Sequence, residues 1–239
     1  MLKLATGAVT YLVDQGDLQK HTIQALSGTS SGALVATLCW GHMLEQDIDG
    51  IPSALKAQWT DLAYGTIPDA PTAAMLELGS SVAELNPFYQ CWRRNAVVPF
   101  LRQIYKDWIL RHIDIDKLRT QFRSPRKPKK VPMLRLGATD ILHARPKILH
   151  EEDLCLDVLC ATGSLDDAIG ITDIQVGPAH EEYIDGARST NPPLTTLIDC
   201  QVDDIWLIEA FPHRWQSAPR TPMESKSRKD ELWQCALIW

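Results

Sequence analysis

A chain of 239 residues has room for one substantial core, and 45% hydrophobic with 23% charged residues is an ordinary globular balance that excludes a disordered or fibrous protein. A net charge of -6 gives no global attraction to polyanions and argues against a nucleic-acid partner. Six scattered cysteines without a C-x-x-C pair read as reduced thiols, and no apolar run reaches the ~18 residues of a membrane span, so the expectation is a cytoplasmic chain with at most peripheral membrane contact.

Gly7 to Gly16 reads as the back half of a helix, Asp17 to Gln19 as a turn, His21 to Leu26 as a strand and Ala33 to Leu44 as a second helix. Between strand and helix stands Gly28-Thr29-Ser30-Ser31-Gly32, the G-x-S-x-G form of a nucleophile elbow. Such a turn holds its middle serine in strained backbone, and the flanking Gly28 and Gly32 lack the Cβ atoms that would collide as strand meets helix. Ser30 is the candidate nucleophile, and the Ser31 N–H at the helix N-terminus is the candidate oxyanion donor. Taken alone, the pentapeptide also fits a plain Gly/Ser turn that caps a helix. The helix after it is apolar on nearly every side (Leu34, Val35, Leu38, Cys39, Trp40, Met43), which is the pattern of a helix buried between layers.

Glu45 to Tyr64 reads as an amphipathic helix interrupted at Gly50 and Pro52, with Leu55, Trp59 and Leu62 on one face. Pro68, Pro71 and Asn86-Pro87 break the next stretch, and helical spacing resumes over Val97 to Leu118. Its aromatic residues Phe88, Tyr89, Trp92, Phe100, Tyr105 and Trp108 fit either core packing or the lining of an acyl cleft or lid. Arg123 to Lys130 is a basic, proline-containing loop, read as a solvated connection or as an attraction for anionic headgroups. Strands are predicted over Val131 to Ile141, Lys147 to His150, Glu182 to Ile184 and Asp204 to Phe211, with a helix over Asp153 to Leu165. Strands alternating with helices predict a layered α/β fold with a mostly parallel central sheet, in a single domain over residues 1 to 239.

An activated serine needs a base. The Ser, Asp, His order of the α/β-hydrolases leaves His213 as the histidine, with Asp185, Asp199, Asp203 or Asp204 before it, but that fold places several strands ahead of its elbow. The other arrangement is a Ser–Asp dyad. Tyr183-Ile184-Asp185-Gly186-Ala187 suits it, because Asp185 closes a strand and Gly186 lets the backbone turn so that the carboxylate faces the elbow. An Asp-Gly pair is also a common hairpin turn. No metal or other cofactor is expected: no Asp/His cluster has ligand spacing, and the glycines near Ser30 lack the lysine of a phosphate-binding loop.

With both motifs in that order and spacing, the chain resembles the patatin-like phospholipase family, whose members pair a G-x-S-x-G elbow with a later D-G-G or D-G-A motif. Leu136 to Asp140, Leu159 to Leu165 and Asn191-Pro192-Pro193-Leu194 resemble further family segments, and the likeness covers roughly Gly7 to Pro212. It implies a three-layer α/β/α fold, with Ser30 as nucleophile, Asp185 as base, Gly28 and Gly32 framing the elbow, and Gly186 and Ala187 completing the aspartate motif. It also implies a substrate among phospholipids or other acyl lipids, cleaved through an acyl-serine intermediate. The family's glycine-rich oxyanion loop has no counterpart in Met1 to Thr6, and Leu232 to Trp239 stops on an apolar run. The expectation is therefore a domain cut short at both ends and lacking its first strand. Two functions follow: a lipid acyl hydrolase, or a degenerate relative that binds lipid or a partner with little turnover.

Overall fold

The computed structural model of the chain describes residues 2–61, 96–164, 170–176, 179–198 and 200–209. It opens with α1 (Leu2–Asp14), which ends before Gly16 in left-handed backbone at φ 70°, as the glycine there predicts. Residues read as a turn instead make a short helix, α2 (Asp17–Lys20), and β1 (Ala25–Thr29) then leads directly into α3 (Ser31–Leu44). Ten of the fourteen residues of α3 are buried, from Ala33 to Gly41 and Leu44. An all-round apolar sequence has no face to give to water, so this helix lies inside the molecule. The indole N–H of Trp40 donates to the Pro132 carbonyl at 2.8 Å, which satisfies the one polar atom of a fully buried ring.

The long interrupted helix divides at Gly50: α4 runs from Ile51 to Asp61 and buries Ile51, Leu55 and Gln58. Helical spacing over Val97 to Leu118 resolves into α5 (Val98–His112) and α6 (Ile115–Arg123), broken where Asp114 caps the second helix by accepting from Lys117 N at 3.0 Å. Trp108 is buried in the core and Phe100 is exposed, while Leu62, Phe88, Tyr89 and Trp92 lie outside the described residues. The basic segment 123–130 is mostly exposed, as a solvated connection would be.

The sheet departs from expectation. It contains β1, β2 (Met133–Asp140), β3 (Arg145–His150), β4 (Thr172–Val176) and β5 (Ala179–Asp185), and only the β1–β2 pair is parallel. A mixed, mostly antiparallel sheet replaces the mostly parallel one, for a reason of chain length. Four residues join β2 to β3 and two join β4 to β5, too few for the crossover of a dozen or more that parallel strands require. β4 has no counterpart in the sequence reading, and the strand expected from Asp204 does not form: residues 204–209 are in neither helix nor strand. The helix expected over Asp153 to Leu165 is the shorter α7 (Leu156–Thr162), ended at Gly163. The last described helix is α8 (Thr195–Ile198). α3 packs on β1 and β2, and α7 packs on β2, β4 and β5.

The register of β2 positions the site. β3 pairs with Arg135 to Asp140 and so takes one edge of β2. The other edge is shared: β1 pairs along Met133 to Gly137, with Thr29 opposite Gly137, and β5 takes over at Ala138, opposite Asp185. β1 runs parallel to β2 and β5 antiparallel, so their C-terminal ends meet head to head. Thr29 and Asp185 stand opposite consecutive residues, about 3.3 Å apart along β2.

Candidate active site

Ser30 follows Thr29 at that junction with φ 56° and ψ −127°, a conformation open to glycine and costly to serine. The strained backbone separates this turn from an ordinary capping turn, in which the serine would have extended backbone and a side-chain bond to the helix. Ser30 makes no such capping bond. The two glycines differ in role. A Cβ on Gly28 would overlap the backbone carbonyl of Gly32, whereas a Cβ on Gly32 would meet nothing within 4 Å. Only Gly28 is required by close approach.

Asp185 ends β5 and is 1% exposed. Its Oδ1 accepts the Ala187 N–H at 2.8 Å, the turn that Asp-Gly-Ala predicts, and Gly186 brings the chain so close to β2 that a Cβ would overlap the Gly137 carbonyl. Thr139 Oγ1 donates to the Asp185 carbonyl at 3.0 Å and contacts Ser189 Oγ at 2.7 Å. Thr29 Oγ1 donates to the Thr190 carbonyl at 3.1 Å, and a Cβ on Gly137 would come within 2.5 Å of that hydroxyl. These threonines and Gly137 act together as a lock between the two strand ends.

A second tie comes from the end of α7. Ser30 N–H donates to the Thr162 carbonyl at 3.1 Å, and Asp185 N–H donates to the Ser164 carbonyl at 3.0 Å. A three-residue strap, Thr162-Gly163-Ser164, therefore holds both backbones, and Tyr105 packs its hydroxyl so close to Gly163 that a Cβ there would lie 2.5 Å away. Burial first, then the charges of Cys160 and Asp185, hold the Tyr105 phenol well above its ordinary range, so it stays protonated. Gly137, Thr139 and the strap lie in the segments Leu136 to Asp140 and Leu159 to Leu165 that carry the family resemblance, and Tyr105 is among the aromatic residues read as core or cleft, but no motif assigns any of them this role.

Ser30, Ser31, Gly28, Gly32, Asp185 and Ala187 all line one cavity of about 650 Å³. Ser30 Oγ holds no hydrogen bond among the described residues, which leaves its proton and lone pairs available there. The first N–H groups of a helix have no intrahelical acceptor, so Ser31 and Gly32 offer two donors beside the serine at the positive end of α3. Cys39 lines the same cavity, but burial pushes its thiol up to about 12 and removes it as a competing nucleophile at neutral pH. The alternative base does not enter the comparison, because His213 and Asp199 lie outside the described residues. The side chains of His150, Glu151 and Glu152 come within 4.8 Å of one another, but Glu151 is engaged by Arg135 and by Leu134 N–H. Comparison of the chain with protein-family models and with curated proteins finds no match. Among the described residues no helix is long and apolar enough to cross a membrane.

Proposed function

We propose that the chain is a serine acyl hydrolase of patatin-like type, acting on ester bonds of phospholipids or other acyl lipids. The observation that carries this reading is the head-to-head meeting of β1 and β5 on β2, which gives a strained Ser30 and a buried Asp185 one shared cavity. The likeness of both motifs to that family supports the substrate class, and the cavity's lining, with Leu12, Val35 and Leu194 among it, suits an apolar acyl group. In this reading the sheet lies between two helical layers and the protein meets lipid at a membrane surface without spanning it.

Asp185 takes the proton of Ser30, and Oγ attacks the ester carbonyl carbon. The carbonyl oxygen becomes an oxyanion facing the Ser31 and Gly32 N–H groups. Collapse expels the alcohol, which leaves with the proton held by Asp185, and the acyl group remains on Ser30. Water then gives its proton to Asp185 and attacks the acyl-serine, releasing the carboxylic acid and restoring both residues.

A second reading, a lipid-binding protein with little turnover, is favoured by one observation. Residues Leu2–Asp14 ahead of β1 are helical, so among the described residues the oxyanion donors at Ser30 come from α3 alone. Labelling of the folded protein with a fluorophosphonate separates the two. The hydrolase reading expects labelling that disappears in Ser30→Ala. A folded, unlabelled wild type whose thermal transition still rises with phospholipid vesicles would establish the binding reading in its place.

A further inference from the structure

Between Asp116 and Asp140 the sequence holds eight lysines and arginines and no acidic residue. The structure divides these cations. Lys117 is spent on Glu45 at 2.6 Å, Arg135 is spent on Glu151, and Arg119 is half-buried. The other five, Arg123, Arg126, Lys127, Lys129 and Lys130, are all exposed and fall within eight residues. With the chain at -6 overall, these five leave the rest of it at -11. A single positive pole on an acidic body admits a large anionic surface from one direction only.

The loop that carries them is held at its base. The Phe122 ring packs on Trp40, with centroids 5.5 Å apart, and Lys127 Nζ lies 4.1 Å from the Phe122 centroid. Arg126 N–H donates to Ser124 Oγ at 3.1 Å and Lys127 N–H to the Ser124 carbonyl at 3.2 Å, while Pro125 and Pro128 restrict the backbone. Cations arranged in advance lose little freedom on docking. The chain then enters β2 beside the cavity: Met133 N–H donates to the Gln24 carbonyl at 2.9 Å, and residues 20–25 all line the cavity. A single-stranded nucleic acid would ask for a free aromatic face on which to stack its bases, but Phe122, which borders the loop, is already engaged by Trp40 and Lys127. Lipid phosphates ask only for positive charge spread over a surface.

We propose that segment 123–130 is the surface by which this protein docks on an anionic phospholipid membrane, its five cations lying on the headgroups and holding the end of the cavity lined by residues 20–25 close to the bilayer. The acidic remainder of the chain is repelled by the same surface, which fixes the orientation. The proposal rests on the hydrolase reading for the purpose of docking, but docking itself needs neither Ser30 nor Asp185.

The test is cosedimentation of the full chain with vesicles of phosphatidylcholine, with and without about 30% phosphatidylserine. Binding is expected to the anionic vesicles alone, and to weaken at least tenfold when salt rises from about 0.1 M to about 0.5 M. Lys129→Gln should weaken it about fivefold, and joint replacement of Arg126, Lys127, Lys129 and Lys130 by glutamine about a hundredfold or more, with the thermal transition of each variant checked for folding. Lys56→Gln removes an exposed cation on α4 and should leave binding unchanged. Equal binding to neutral vesicles, no binding by the folded wild type, or equal losses for Lys129→Gln and Lys56→Gln would overturn the proposal. Displacement by millimolar inorganic phosphate would overturn it in favour of a single-phosphate site, and tighter binding to a DNA or RNA oligomer at the same salt in favour of nucleic acid. A protein that docks yet takes no fluorophosphonate would break only the hydrolase reading, and one that takes the label yet does not dock would break only this proposal.

Discussion

The two halves of the proposed dyad are held by different means. Ser30 is placed by backbone conformation: strain at one residue, a glycine that lets the turn close, and a buried helix that keeps it closed. Asp185 is placed by hydrogen bonds, from Ala187 to its side chain and from Thr139 to its carbonyl. A position fixed by strain is sensitive to Cβ atoms and indifferent to most polar changes. One fixed by hydrogen bonds answers to polar changes, and at Asp185 the close approach of Gly186 to the Gly137 carbonyl adds a sensitivity to Cβ atoms as well.

The largest effect is expected for chemistry itself. Ser30→Ala and Asp185→Asn should each lower esterase turnover by about 1000-fold or more, measured on a short-chain nitrophenyl ester, and the double variant should be little worse than either. Additive losses would show that the two residues do not act as a unit. Next, Gly28→Ala should cost about 3 kcal/mol or prevent folding, while Gly32→Ala should stay within about 1 kcal/mol of wild type in urea unfolding. Equal costs would remove the distinction drawn between the two glycines. Ser30→Gly should be more stable than Ser30→Ala by about 1 kcal/mol, since glycine relieves the positive φ. On the aspartate side, Thr139→Val should cost about 1 kcal/mol and lower activity, through loss of the bond to the Asp185 carbonyl.

The smallest effect concerns acid. Burial raises the Asp140 carboxyl, but bonds from the His143 ring, the His143 N–H and the Arg145 guanidinium outweigh it and hold the group below its ordinary range. A lowered folded value means that this contribution is present at neutral pH and is lost as pH falls below the ordinary carboxylate range and through the folded value. Asp140→Asn should therefore flatten the acid limb of a urea-midpoint profile below about pH 5.

Much of the site was legible because its chemistry is local. Gly28 to Gly32 and Asp185 to Ala187 each announce a turn, and the turns form where those residues stand. The all-round apolar stretch after Ser30 made α3 equally plain. Strand direction was not legible, because alternation of strands and helices says nothing about which strands pair. The short links after β2 and β4 were the available clue. Asp204 to Phe211 read as a strand, yet a strand needs a partner, and among the described residues no backbone hydrogen bond reaches 205–208. Tyr105 and the Thr162-Gly163-Ser164 strap were hidden for a related reason: their roles exist only after distant segments come together.

The junction on β2 also bears on how the protein reaches its working state. Thr29 and Thr190, joined across that junction, are 161 residues apart in sequence. Loop closure over such a distance is slow and is not rewarded until both ends have docked on a third strand. The elbow and its helix can mature early, but the site cannot. In refolding, the far-UV signal of the helices should recover first and fluorophosphonate reactivity last, so that the chain passes through a stage in which the proposed nucleophile is present and the proposed base has not arrived.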